Sequence, residues 1–497
     1  MTLTSETTDS RPGRTRPAFA RTPVLLIAGV AGALLLIASR NYGFSFDEAY
    51  FVVAGRDHPA WGYFDQPPLV PFLAAGLDHL FPGSLLALRL PATLAAVGGI
   101  VLSALIAREL GGRRVAQTVA AAAYAMSGAT LICHYLATYS IDPFFWSLIV
   151  WLVVRWTRQR REGVADDRLL FAAGLVTAVS LQTKFLVPAL WVALAAASLV
   201  FGPRDLVRRP LLWAGALVAT LTTVPTLVWQ AVHGWPYARM SEVVAAEFPG
   251  TGPFLLELLS GPGLVIGVPL ALFGFGRLLA ARDLRPYRFL GVAFLLLIVA
   301  YLLTSGRSYY VYSLYALLFA AGAVGLQDVK WPTAAKAVGW LLVAVSVLQA
   351  LVALPIYPKS WAERIPDVPL VPLTAKVFVQ SDGQLGQLSD AVVKVYASLP
   401  PEQRARTAIM TDSYAFAADL QLFGAERGLP NVYSAHRGYF YFGHPDESVD
   451  SVLFVGDASP LVAGAFDRHQ DVVPQLMTVF SGRNTAWDAL WPQLRTQ

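Results

Sequence analysis

Six ionisable side chains stand out in this sequence by type and by position: Asp47, Glu48, Asp65, Asp142, Lys184 and Arg307. Asp47 and Glu48 are neighbours in Phe44-Ser-Phe-Asp-Glu-Ala-Tyr50, directly after an apolar run from Pro23 to Ser39. Asp65 follows in Tyr63-Phe-Asp-Gln-Pro-Pro-Leu69, and Asp142 heads a second apolar run in Ser140-Ile-Asp-Pro-Phe-Phe-Trp146. Acids at the mouth of a membrane span are costly to desolvate and rarely idle. Carboxylates brought by separate loops could assemble a general base. Lys184, between two apolar runs, and Arg307, in Gly306-Arg-Ser-Tyr-Tyr310, could bind an anion arriving at membrane depth. Together these groups suit a substrate with a phosphate and a reacting hydroxyl. Plainer readings stand beside this one. Asp47 and Glu48 could cap a helix, Asp142 could be an N-cap before Pro143, and the two cations could snorkel to an interface.

The elements that must position these residues are membrane spans. The chain has 497 residues, 55% hydrophobic and 14% charged, with a mean hydropathy of +0.51, whereas a soluble domain carries roughly 25% charged residues. The apolar residues cluster in long blocks, which indicates a polytopic membrane protein. We expect about eleven spans, near 23–39, 86–107, 116–133, 143–154, 169–183, 186–201, 211–229, 261–280, 289–303, 311–326 and 337–355. The first run follows Arg11, Arg14, Arg16 and Arg21 but lacks a good cleavage site, so it reads as a retained anchor.

With the N-terminus in the cytoplasm, every basic cluster between spans falls on the cytoplasmic side. These clusters are Arg108 with Arg113 and Arg114, Arg155 to Arg161, Arg204 to Arg209, and Arg282 to Arg288. The candidate chemistry then collects on the opposite face, together with residues 356–497. The expected organisation is a basic cytoplasmic tail (1–22), a transmembrane domain (23–355) whose first outer loop spans 40–85, and an extracytoplasmic domain (356–497).

Several classes of function are disfavoured. Net charge is +5, but the arginines sit in short loops between apolar runs, without the patch that nucleic-acid binding needs. A single cysteine, Cys133, excludes an intramolecular disulfide framework and a cysteine-based metal site. His134 and His233 lack ligand spacing, so no metal residues are assigned. A divalent cation stays open as a cofactor, because hard cations need only carboxylates.

Taken in order, Phe46-Asp-Glu-Ala-Tyr50, Tyr63-Phe-Asp-Gln-Pro-Pro-Leu69, Leu88-Arg-Leu-Pro91, Ile141-Asp-Pro143, Thr183-Lys-Phe185, Trp229-Gln with His233-Gly-Trp-Pro236, and Gly306-Arg-Ser-Tyr-Tyr310 form a series. The series resembles the membrane-embedded C-type glycosyltransferases of family 39. These are related to the protein O-mannosyltransferases and to the lipid A aminoarabinose transferase. The resemblance implies an inverting enzyme that moves a sugar from a polyprenyl-phosphate carrier to an extracytoplasmic protein, lipid or cell-wall glycan. It implies Asp47 as general base, with Glu48 as a neighbour and Asp142 as a supporting acid. Lys184, Arg307, Tyr309 and Tyr310, and more weakly Arg89, would hold the donor phosphate. Tyr63, Asp65, Gln66, His233 and Trp235 would contact the acceptor or order the loops. The aminoarabinose branch has a basic residue shortly after the Asp-Glu pair and a lysine before Pro-Pro. Tyr50 and Gln66 stand near those places here, which favours the broader mannosyltransferase-like group. The alternative is a transporter or flippase for a lipid-linked or anionic substrate. That reading predicts mid-membrane charges and repeated halves, and neither is evident.

After residue 355 the apolar runs shorten and Pro355, Pro358, Pro366, Pro369 and Pro372 mark a linker. Strand-like runs at 407–410 and 451–455 alternate with helix-like runs at 415–423 and 461–467, which predicts a small α/β domain. The stretch Asn431 to Tyr441 is polar and aromatic enough to contact a sugar or an acceptor, or to serve as a surface loop.

Overall fold

A computed structural model describes residues 16–365 and 374–496. Arg11, Arg14 and the linker prolines Pro366, Pro369 and Pro372 lie outside the described residues. The expected apolar runs fold mainly as helices, with two departures: the run 116–133 breaks at Met126 and Ser127, and the run 261–280 is helical only from Gly267. Helix α1 is Arg21–Ala38, and a short helical hairpin follows, α2 (Phe46–Asp57) and α3 (Leu69–Leu80). The bundle continues through α4 (Leu85–Glu109), α5 (Arg114–Ala125), α6 (Gly128–Leu131), α7 (Thr138–Arg161), α8 (Arg168–Thr183), α9 (Val187–Phe201) and α10 (Pro210–Val232). Then come α11 (Pro236–Ala246), α12 (Thr251–Ser260), α13 (Gly267–Ala280), α14 (Arg288–Leu303), α15 (Tyr315–Leu326) and α16 (Thr333–Ala353). By length and composition six helices among the described residues can cross a membrane, or seven if the pair α5 and α6, bent by 56°, is one span. Helices α8, α9 and α13 are apolar but shorter.

Packing within the bundle follows the small residues. Helices α8 and α10 approach so closely at Gly174 and Gly215 that a Cβ on either would overlap the other's backbone, the small-residue contact that membrane helices favour. Outward faces stay apolar: α10 exposes Trp213, Leu217, Leu221 and Val228, and α16 exposes Trp340, Leu341 and Leu348. Such surfaces suit contact with lipid. Ion pairs knit one end of the bundle together. Glu109 accepts from Arg158 at 2.6 Å and from Arg16, while Asp205 pairs with Arg160 and Arg209.

The C-terminal residues form the expected α/β unit. Two short helices lie around its start, α17 (Lys359–Ala362) and α19 (Pro401–Arg404), with the long α18 (Thr374–Ser398) between them. Strands β1 (Thr407–Thr411), β2 (Val432–Ser434), β3 (Ser451–Val455), β4 (Phe466–Val473) and β5 (Met477–Arg483) make one sheet in the order β2-β1-β3-β5-β4. The pairs β1–β2 and β1–β3 are parallel, and β3–β5 and β4–β5 are antiparallel. Helices α20 (Tyr414–Gly424), α21 (Pro460–Gly464) and α22 (Trp487–Leu494) cover it. The run 461–467 is not one helix. It stops at Gly464, and Phe466 opens β4, because Phe466 packs into the sheet core against Phe480 and Trp487.

The hairpin of α2 and α3 and this domain share a core. Ala49, Tyr50, Val52, Val53 and Val70 pack with Leu388, Ala417, Leu420, Tyr439 and Leu453. The domain is therefore anchored on α2, the helix that carries the candidate acids.

Candidate active site

Helix α2 begins in a capping box. Ser45 Oγ accepts from the Glu48 amide at 3.3 Å, and Glu48 Oε2 accepts from the Ser45 amide at 2.9 Å. The capping reading thus holds for Glu48, which is also gripped by Arg89. Arg89 Nε and Nη2 each donate to a Glu48 oxygen at 2.8 Å, and the Leu136 amide donates to Oε1 at 2.9 Å. Arg89 further donates to the carbonyls of Ser39 and Gly43. Both side chains are fully buried. Burial alone would raise the Glu48 pKa, yet Arg89 and the two backbone amides hold it below its ordinary value. The expected roles for Glu48 in catalysis and Arg89 at a phosphate do not match this placement. The pair is a structural clamp that fixes the start of α2 to α4 and to the turn before α7, and neither residue lines the cavity.

Asp47, one position earlier, points elsewhere. A cavity of about 730 Å³ opens beside it, lined by Asp47, Asp65, Gln66, Lys184, Arg307 and Tyr310, among others. Many stretches of chain meet around this space, among them the hairpin around α2, the segment from α5 to α7, the α8–α9 junction, α11, the turn after α14 and the C-terminal domain. Tyr414, the first residue of α20, donates its hydroxyl to Asp47 Oδ1 at 2.7 Å. Burial raises the Asp47 pKa above its ordinary value, while Tyr414, Arg437 and Arg307 pull it back down. Asp65 accepts from Tyr50 Oη at 3.1 Å, and burial followed by the charge of Asp47 raises it to about 6.

The cations line the same cavity. Lys184 Nζ lies 4.4 Å from the ring centroid of Tyr310, 5.2 Å from Tyr309 and 5.6 Å from Tyr139. Three rings around one ammonium hold it by cation–π attraction and limit its hydration. Asp142 is not in the cavity wall. It is buried behind Lys184, accepts from Ser180 Oγ at 2.8 Å and attracts the Lys184 charge. Its place supports the lysine more directly than the base. Arg307 and Arg437 both pair with Glu247, and Arg437 also lies over the Tyr414 ring at 5.5 Å. Among the described residues no group of three or more His, Cys, Asp or Glu side chains is placed to hold a metal ion.

The remaining expected contacts divide. Gln66 lines the cavity, 3% exposed, and its Nε2 has no hydrogen-bond partner among the described residues. Tyr63 is buried beneath the hairpin, with its hydroxyl donating to the Ala54 and His58 carbonyls. His233 stacks on Trp229 at 4.1 Å, and Trp235 is 52% exposed with φ of 56°. Neither lines the cavity. Tyr139, Tyr414, Glu247 and Arg437 are among the lining residues that had no individual role in the sequence. Of these, Arg437 had a signal, inside the aromatic stretch 431–441.

Residues 65–229 match the family model described as dolichyl-phosphate-mannose-protein mannosyltransferase. Searched against curated proteins, the chain finds no match. Among solved structures, the fold is similar to ArnT from Cupriavidus metallidurans. The structure bound to undecaprenyl phosphate is 17% identical, with a TM-score of 0.58, and the alignment covers 92% of this chain and 97% of that one. The apo structure gives 18% identity with the same TM-score and coverage. Similarity extends to the arabinofuranosyltransferase AftD from Mycobacteria, at 14% identity and a TM-score of 0.51, over 94% of this chain and 40% of that one. Residues 65–229 thus match the dolichyl-phosphate-mannose-protein mannosyltransferase family, in a chain whose fold is similar to that of ArnT.

Proposed function

We propose that this protein is an inverting glycosyltransferase that moves a sugar from a polyprenyl-phosphate carrier to a hydroxyl of an extracytoplasmic protein, lipid or cell-wall glycan. One observation carries the reading: a single cavity joins the carboxylate of Asp47 to the cations Lys184 and Arg307. The ArnT relative was solved with undecaprenyl phosphate, which supports a donor of the same class here.

In the step we derive, Asp47 takes the proton of the acceptor hydroxyl as that oxygen bonds to the anomeric carbon. The bond from that carbon to the phosphate oxygen breaks on the opposite face, and its electron pair leaves with the phosphate. Configuration inverts. A phosphate leaves without a strong general acid, but its charge must be met. Preorganised cations in a water-poor site do this, and Lys184 and Arg307 are the groups placed for it. Asp142 steadies Lys184 from behind, and Gln66 Nε2, without a partner among the described residues, offers a hydrogen bond to a substrate oxygen. The N-terminus is assigned to the cytoplasm and residues 356–497 to the outside, in keeping with the loop arginines.

The test is transfer of labelled sugar from polyprenyl-phosphate donors by the purified protein, with Asp47→Asn alongside. Glycosylated product that disappears in the variant supports the reading. Movement of the lipid-linked substrate with no glycosylated product would sink it and leave the transporter.

A further inference from the structure

The candidate base lies in the first outer hairpin, yet its only hydrogen-bond partner among the described residues comes from 367 positions away. Tyr414 is itself held on several sides. The Tyr50 ring meets it edge-on at 5.2 Å, the Arg437 guanidinium lies over it at 5.5 Å, and the His436 ring is 5.4 Å away. Its backbone amide donates to His436 Nδ1 at 3.3 Å, and Ser413 caps the helix that it begins. Tyr50 bonds Asp65 through its hydroxyl, so the same aromatic contact links both acids of the cavity to the C-terminal domain. The shared core of α2 and α20 keeps this register.

We infer that Tyr414 is a positioning residue for the transfer reaction, through which the C-terminal domain orients the Asp47 carboxylate. The tyrosine hydroxyl occupies Oδ1 and fixes the plane of the carboxylate. Oδ2 is then the oxygen that receives the acceptor proton. Only the ionised carboxylate is a base, and a donor on Oδ1 favours that form. The C-terminal domain is on this view part of the active site, and its docking on α2 is a condition for turnover. The inference rests on the assignment of Asp47 as base.

The experiment uses full-length protein in lipid nanodiscs and compares wild type, Tyr414→Phe and Asp47→Asn in the sugar-transfer assay across pH. Tyr414→Phe keeps the ring and its packing and removes only the donor. Expected is a fall in kcat of about 10- to 100-fold, with KM for the lipid-linked donor within about twofold, as for a lost interaction that matters at the transition state. The acid limb of the kcat profile should also move to higher pH, which a merely structural role would not produce. An unchanged melting temperature shows that the variant is folded. Wild-type kcat and an unmoved acid limb in Tyr414→Phe, with Asp47→Asn inactive, would overturn the inference and leave the base assignment standing. Full activity in Asp47→Asn would overturn both.

Discussion

Arg89 and Glu48 form two parallel hydrogen bonds of 2.8 Å with both side chains sealed from solvent. Removing one partner strands a buried charge, which typically costs about 3–5 kcal/mol. Arg89→Ala should therefore lower the melting temperature sharply. It should also reduce activity in proportion to the folded fraction, with donor KM unchanged in the protein that remains folded. A selective rise in donor KM without loss of stability would instead return Arg89 to the phosphate site.

Lys184 is held by three tyrosine rings and backed by Asp142. Lys184→Ala should reduce transfer by about 10²- to 10³-fold, the usual cost of losing one charge-stabilising group. Lys184→Arg should retain more activity. Asp142→Asn should act in the same direction, more weakly. Steady-state transfer with a polyprenyl-phosphate-sugar donor measures all three.

The pH dependence follows from two raised acids. Because the Asp47 pKa lies above its ordinary value, transfer should rise with pH as that group ionises, with an acid limb above the usual carboxylate range. Asp65, near 6, shares the negative field. Asp65→Asn should move the limb to lower pH, since ionised Asp47 then has one fewer like charge beside it.

Asp65 also links pH to stability. Its folded value of about 6 exceeds the unfolded one, near ~3.9 for an aspartate, so the folded state binds its proton more tightly. That contribution is fully present below the unfolded value and is lost as pH rises through about 6. Melting temperature should fall across this window in wild type, and Asp65→Asn should flatten the slope.

Gly438 packs directly on the Tyr50 hydroxyl, where an added Cβ would overlap the oxygen. Gly438→Ala should push Tyr50 off Asp65 and loosen the domain on α2, at a cost of about 1–3 kcal/mol for overpacking. Thermal unfolding measures it, and Tyr50→Phe in the same chain should recover part of the loss by opening space.

The helical runs were legible because burial in lipid requires long apolar blocks, a local property of the chain. Most of the eleven fall on single helices, and the strands at 407–411 and 451–455 were readable as short apolar runs. The hairpin of β4 and β5 was not, since β4 is a polar edge strand, exposed along most of its length. Sequence also narrowed the site to outer acids and cations. The family resemblance singled out Asp47 over Glu48, but residue type and spacing alone did not, because adjacent helical positions differ by about a third of a turn and only the neighbours decide what each faces. Arg89 claimed Glu48 and left Asp47 to the cavity. Asp142 went behind Lys184, and Tyr414 and Arg437 came in from the C-terminal domain. Those assignments depend on pairs separated by 41 residues for Arg89 and Glu48 and by 367 for Tyr414 and Asp47, and packing, not composition, sets them.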